Sequence, residues 1–205
     1  MDSLLLALAP WLTPAFTLWG SPVTWIEIVA FGLSIWMVVC NMRVNALAWP
    51  LAILASLLYA LLFAQYKLYG EASLQLFFVV VAGWGWWQWL RGRSPDGGSL
   101  RVRRLSTRLR WVALGATLLA WPLLGWLLDH ATDSDVPYLD AWPTAASVTG
   151  QVLLGRKLIE NWPVWIAVNL VSIGLFAYKG LWLTVVLYAV FAAMAVAGWQ
   201  AWRAL

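Results

Sequence analysis

Charge is scarce in this chain. Asp, Glu, Lys and Arg together make up 11% of its 205 residues and 63% are hydrophobic, whereas soluble domains are roughly a quarter charged. That excludes a domain with an ordinary water-facing surface and leaves an integral membrane protein. The one cysteine, Cys40, excludes an internal disulfide, and the one histidine, His130, excludes a bis-histidine haem or a His/Cys metal cluster. No cofactor is expected. A cleaved signal peptide would open with basic residues, but the only early charge is Asp2, so no cleavage is expected. Carboxylates are also missing from the middle of the apolar runs, because Glu27, Glu71, Asp140 and Glu160 all fall near predicted helix ends. Ion-driven pumps usually bury a carboxylate centrally, so this pattern points away from proton or sodium coupling.

What the chain has in quantity is apolar length. A bilayer core of about 30 Å takes about 20 apolar residues per helix. Runs of that order occur at about 25–40, 47–65, 71–90, 111–128, 138–155, 161–178 and 181–202. An all-α membrane protein with seven core crossings is therefore expected. An eighth run at 3–19 contains Pro10 and Pro14, which remove backbone donors, and is read as a peripheral or spanning helix. The expected organisation is that N-terminal helix at 1–22 and a first three-helix bundle at 23–92. A cytoplasmic loop, linker helix and acidic outer loop follow at 93–136, then a second three-helix bundle at 137–205.

Eleven of the thirteen basic residues gather where seven crossings place one face: Arg43, the cluster from Arg91 to Arg110, Arg156 with Lys157, and Arg203. Lys67 and Lys179 share the other face with Asp129, Asp133 and Asp135. The positive-inside rule makes the arginine face and the C-terminus cytoplasmic. The stretch RGRSPDGGSLRVRRLSTRLR at 91–110 has the charge of a nucleic-acid or anionic-lipid patch. It is read instead as an ordinary cytoplasmic loop obeying the charge rule; the partners expected of the whole chain include membrane lipid and exclude nucleic acid.

The strongest signal is an internal repeat. An offset of 113 residues superposes 25–92 on 138–205 without gaps. Ser34 then meets Ser147, Arg43 meets Arg156, Trp49–Pro50 meets Trp162–Pro163, and Phe63 meets Phe176. Phe78 meets Phe191, Gly85–Trp86 meets Gly198–Trp199, and Trp89 meets Trp202. Random placement would align about one of these tryptophan pairs, not three. With three crossings per copy and one between, both copies enter the membrane in the same direction, a parallel 3+1+3 order of the SWEET-like kind, whose substrate path lies near mid-membrane between the copies.

In the sixth run Trp162, Trp165, Asn169, Ser172 and Phe176 recur at spacings of 3 and 4 and share one helix face. The matching face in the first copy reads Trp49, Ala52, Ser56, Tyr59 and Phe63. Gln75, Gln151 and Tyr188 are further uncharged hydrogen-bonding groups within the runs. An indole beside amides suits a flat ring with polar edges, so Trp162, Trp165, Asn169, Gln151, Gln75, Tyr188 and Tyr59 form the candidate substrate-lining set. The plainer reading is that Ser56, Asn169 and Ser172 bond to neighbouring helices.

Glu27 and Asp140 occupy equivalent first turns, where a carboxylate complements the helix dipole; a ligand or proton role is the alternative. Pro50 and Pro163 suit either a helix start or a hinge. WGWWQW at 84–89 lies just before Arg91 and Arg93. Trp86 and Trp89, repeated as Trp199 and Trp202, read as an interfacial belt. Gln88 has no counterpart and joins the candidate set as the residue of that stretch to test.

WIE at 25–27, Gln75 before FF at 77–78, GWWQW at 85–89, Asp140, RK at 156–157 and ENWPVWIAVN at 160–169 together resemble the PnuC family of bacterial vitamin transporters over about 25–205. The resemblance implies a SWEET-like fold, uptake of nicotinamide riboside by facilitated diffusion, a homotrimer, and a cytoplasmic kinase that traps the nucleoside by phosphorylation. Relatives with thiamine or riboflavin as substrate keep those vitamins open. An intramembrane enzyme acting on a lipid or quinone would need a His/Asp, Ser/His or metal constellation, and His130 has no obvious nucleophile near it in the acidic outer loop. A purely structural subunit would leave the paired polar stripe without purpose.

Overall fold

The computed structural model describes residues 9–18, 20–65, 69–94, 97–131, 136–178 and 182–205. Among these residues there are seven α-helices: α1 Trp25–Met42, α2 Ala48–Gln65, α3 Tyr69–Arg91, α4 Thr107–Ala131, α5 Pro137–Gly155, α6 Asn161–Tyr178 and α7 Trp182–Arg203. They coincide with the seven apolar runs. By length and composition α1, α4, α6 and the Val185–Arg203 part of α7 could each cross a membrane unaided, and α2 holds a shorter apolar stretch, Ala48–Leu62.

Neighbours explain why helices of such different polarity coexist. On α4, Trp111, Leu119 and Leu123 are each more than 60% exposed, as a face solvated by hydrocarbon requires. On α5, eight residues are buried, among them Ala141, Ala145, Ala146, Ser147 and Gly150. Small side chains let adjoining backbones approach closely, and protein around α5 shelters Thr144, Ser147, Thr149 and Gln151 from lipid.

The expected N-terminal helix is corrected over its described part. Ala9–Leu12 is a single 3₁₀ turn, and Pro14–Leu18 (β1) pairs antiparallel with Ser21–Thr24 (β2). Pro10, Pro14 and Pro22 cannot donate to a helical ladder, while Gly20, at φ +82°, takes the left-handed conformation of a tight turn. Residues 1–8 of that expectation lie outside the described residues.

The chain divides into two compact units, Met1–Trp86 and Trp87–Leu205. In the first, Thr24 caps α1 through a reciprocal box: its N–H donates to Glu27 Oε2 at 2.6 Å, and Glu27 N–H donates to its Oγ1 at 3.4 Å. Glu27 therefore has the structural role that its position suggested. Thr24→Ala should lower stability by about 1 kcal/mol, readable as a lower unfolding midpoint in detergent; an unchanged midpoint would remove the box from the stability of α1. The second copy has Val136 at the N-cap, with no side-chain bond, and Pro137 as the first helical residue. Fixed proline geometry starts α5 where side-chain capping starts α1.

The α1–α2 connection of the first unit and the α5–α6 connection of the second follow the same backbone path. Arg43 and Arg156 are the C-caps, at φ/ψ of −86°/7° and −92°/8°. Val44 and Lys157 follow at φ of 54° and 52°. The N–H of Asn45 then reaches Cys40 O at 2.8 Å, and that of Leu158 reaches Leu153 O at 2.9 Å. These are the bonds of a Schellman turn. A β-branched valine is poorly suited to positive φ, so the turn prevails over local preference at Val44.

One tertiary contact also recurs. In the first unit Gly85 of α3 lies against the ring of Trp49 of α2, and in the second Gly198 of α7 lies against the ring of Trp162 of α6; a Cβ built on either glycine would overlap the indole. Both pairs are related by the offset read from the sequence. Pro50 and Pro163 are each the third residue of their helix, where the missing N–H has no intrahelical acceptor to lose.

Candidate functional site

The α5–α6 hairpin brings two of the polar runs together. A five-residue turn joins the helices, so depth can be counted from that end at about 1.5 Å per residue. Gln151 and Trp165 both stand about 6 Å in, Ser147 and Asn169 about 12 Å, and Thr144 and Ser172 about 16 Å. Trp165 lies over Gly150, close enough that a Cβ there would sit 3.1 Å from indole Cε2. Ser147, Asn169 and Ser172 are 8%, 5% and 2% exposed, so the stripe on α6 is an inward face.

Gln151 is the most informative member of this group. Its Oε1 is buried and has no hydrogen-bond donor among the described residues. An unsatisfied amide oxygen in such a place costs about 1–3 kcal/mol, a cost a ligand N–H or O–H would remove. Beside it Trp165 is only half-buried, so part of a flat aromatic surface stands at the same level as an acceptor lacking a donor.

The other candidates are dispersed. Tyr188 of α7 stacks on Phe176 at 5.1 Å and meets Phe191 edge-on at 6.2 Å. Phe176 lies about 16 Å along α6 from Trp165, so Tyr188 belongs to a separate aromatic cluster near the opposite end. Trp162 is 3% exposed and fills the space over Gly198; it packs the second unit instead of lining an open wall, and its indole N–H has no acceptor among the described residues. In the first unit Tyr59 and Gln75 are half-buried, with Ala52 and Ser56 on the same face as Tyr59. The side chains of Phe63 and Glu71, and residues Lys67, Lys179, Asp133 and Asp135, lie outside what is described. Gln88, half-buried one turn before the end of α3, accepts through its backbone from Gly92 N–H at 2.8 Å.

The belt expected from WGWWQW is half corrected. Trp86 is 38% exposed, and Trp199 has the Arg203 guanidinium 5.6 Å from its ring centre, as suits a boundary with headgroups. Trp89 and Trp202 are instead 8% and 2% exposed. Trp89 Nε1 donates to Leu154 O at 3.0 Å, and Trp202 meets Trp89 at 6.3 Å and Trp162 edge-on at 5.5 Å. Three indoles thus form a core at the arginine-bearing end, and all three escape lipid headgroups by burying one another.

Two further residues organise that end and were not among the candidates. Glu160 accepts from Leu105 N–H at 3.1 Å and pairs with Arg110 at 2.9 Å. Asn161 is fully buried, donates to Leu158 O at 2.7 Å, and leaves its Oδ1 without a donor among the described residues. Both lie in ENWPVWIAVN, where their adjacency to the paired tryptophans was the available signal. Lys157 reaches Leu100 O at 3.1 Å and lies 4.9 Å from the centre of the Trp89 ring; burial lowers its pKa below the ordinary lysine value.

Known transporters resemble this chain over most of its length. The nicotinamide riboside transporter PnuC of Escherichia coli is 25% identical over 71% of this chain and 71% of its own length. The riboflavin/roseoflavin transporter RibM of Streptomyces davaonensis is 27% identical over 94% of this chain and 91% of its own. A crystal structure of the vitamin B3 transporter PnuC is similar at a TM-score of 0.72 and 25% identity, covering 88% of this chain and 81% of that one. The family model described as nicotinamide mononucleotide transporter matches residues 24–204, from the N-cap of α1 to the end of α7. The chain therefore belongs to the nicotinamide mononucleotide transporter family, and is a multi-pass membrane transporter of the PnuC type and not an enzyme.

Proposed function

We propose that this transporter imports nicotinamide riboside across the bacterial inner membrane by facilitated diffusion, with a cytoplasmic kinase trapping the nucleoside as its phosphate. The same proposal includes the SWEET-like parallel 3+1+3 arrangement, a homotrimer and a cytoplasmic C-terminus. The observation that supports it is the unsatisfied Gln151 Oε1 at the level of Trp165. Nicotinamide is a flat ring with a carboxamide N–H₂, and its ribose supplies hydroxyls, so one ligand offers a surface for the indole and donors for the glutamine. The predicted helix-end placing of Glu27, Asp140 and Glu160 agrees with movement down a gradient.

Riboflavin is the second reading, favoured by the greater span of the RibM similarity, 94% of the chain against 71% for PnuC of Escherichia coli. Its isoalloxazine ring is larger and its ring N–H could equally serve Gln151. Titration of the purified protein with nicotinamide riboside, riboflavin and thiamine separates the readings. Tight binding of nicotinamide riboside alone is the expected outcome, and preference for riboflavin would replace it. Initial uptake into vesicles should persist when ion gradients are collapsed; abolished uptake would refute facilitated diffusion.

Two substitutions test the wall itself. Gln151→Leu and Asn169→Leu should each weaken binding by about 1–3 kcal/mol, the scale of a lost buried partner. Because Gln151 Oε1 has no donor to lose, Gln151→Leu should leave the unfolding midpoint unchanged or raise it. Unaltered affinity would remove that residue from the site.

A further inference from the structure

We propose that a cavity at the arginine-bearing end of the second unit binds a phosphate ester. It has a volume of about 340 Å³ and is lined by Arg104, Arg110, Glu160, Pro163, Trp199 and Arg203. This inference goes beyond the transport reading and does not depend on which vitamin is carried.

The cavity is built by backbone pairing. The segment before α4 docks on the α5–α6 turn, with Arg103 N–H donating to Lys157 O at 3.1 Å and Ile159 N–H returning to Arg103 O at 3.0 Å. Leu105 N–H then donates to both Glu160 oxygens at 3.1 Å. Arg104 is held between two anchored residues and placed beside the first turns of α4 and α6 and the last turn of α7.

Charge in the cavity is unbalanced. Glu160 is committed to Leu105 N–H and to Arg110, through Nε at 3.0 Å and Nη2 at 2.9 Å. Among the described residues neither Arg104 nor Arg203 pairs with a carboxylate. Two guanidiniums without carboxylate partners therefore line one concavity, and their planar forks match phosphate oxygens. Trp199 and Pro163 add apolar wall that an inorganic ion would leave uncovered. The volume lies at the small end of ligand pockets, about 300–1,000 Å³. The occupant that satisfies both parts is a phosphate joined to a small organic group. It can be a soluble aromatic monophosphate or the headgroup of an anionic lipid, since basic pockets between helix ends also take lipid phosphates.

The test uses the full chain in phosphatidylcholine nanodiscs, as wild type, Arg104→Gln and the double variant Arg104→Gln/Arg203→Gln. One arm titrates nicotinamide mononucleotide by calorimetry; the other compares unfolding midpoints with and without phosphatidylglycerol. Wild type should respond to at least one probe, and the double variant should lose roughly tenfold in affinity or most of the lipid-dependent midpoint shift. A response to the mononucleotide assigns a soluble ligand, and a response to phosphatidylglycerol alone assigns a lipid. If neither probe acts, or both act equally on wild type and the double variant, the site is overturned. Nicotinamide riboside uptake by the same variants should match wild type. Its absence from wild type would sink the transport reading while leaving the anion result standing.

Discussion

Trp202→Ala is expected to lower the unfolding free energy by about 3–5 kcal/mol, the range for removing a fully packed aromatic side chain. Trp202 is 2% exposed, with Trp162 edge-on at 5.5 Å and Trp89 at 6.3 Å. Its removal leaves a cavity bounded by two large rings that cannot collapse far, because Trp162 is pinned over Gly198 and Trp89 is tied to Leu154 O. Trp199→Ala, three residues earlier and partly exposed, should cost well under half as much. Denaturant unfolding in detergent measures both. Equal losses would mean that Trp202 is a surface anchor after all, as its place at the end of a membrane helix first suggested.

Gly198→Ala and Gly85→Ala are expected to destabilise the protein by about 1–3 kcal/mol each, the usual cost of overpacking. A methyl group at either position overlaps a buried indole, Trp162 or Trp49. A rigid ring that is 3% or 2% exposed has little room to retreat. Gly83 and Gly174 are the controls: nothing lies within 4 Å of a Cβ built at either. Alanine there should be neutral or stabilising by up to about 1 kcal/mol through its better helix propensity. Replacing the opposing ring by a smaller one, Trp162→Phe with Gly198→Ala, should recover part of the loss. If the two glycine variants melt like their controls, or no rescue follows, the shared contact is not a determinant of either unit.

These pairs also show how far the repeat could be read in advance. Trp49 with Trp162 and Gly85 with Gly198 were visible as coincidences at one offset, but their contact was not. A sequence offset says that two positions have equivalent surroundings without saying what surrounds them. The polar stripe on α6 was legible because period and burial agree: Asn169 and Ser172 face inward as their spacing required. Tyr188 was grouped with Gln151 because both are polar residues within apolar runs, and polarity has no depth coordinate. Once the helices are placed, Tyr188 stacks near one end and Gln151 stands near the other.

The tryptophans mark the same boundary from another side. Composition could not separate Trp86 from Trp89, since both precede the arginines by a few residues. What separates them is the rotation of α3 that aims Trp89 at Leu154 O and leaves Trp86 outward. The N-terminal hairpin is a comparable case, in which Pro10 and Pro14 signalled trouble for a helix but did not specify the strand pairing that Pro22 and Gly20 complete.

Membrane class, the positions of the seven helices, the 113-residue offset and the family resemblance were all present in the amino-acid sequence, because transfer of apolar residues out of water is summed locally along the chain. The buried indole core, the docking of the linker on Glu160 and the unsatisfied oxygen of Gln151 were decided only by the tertiary structure. Each depends on which side chain of another helix occupies the adjoining volume, and helix packing sets that, whatever the hydrophobicity or spacing of the residue concerned.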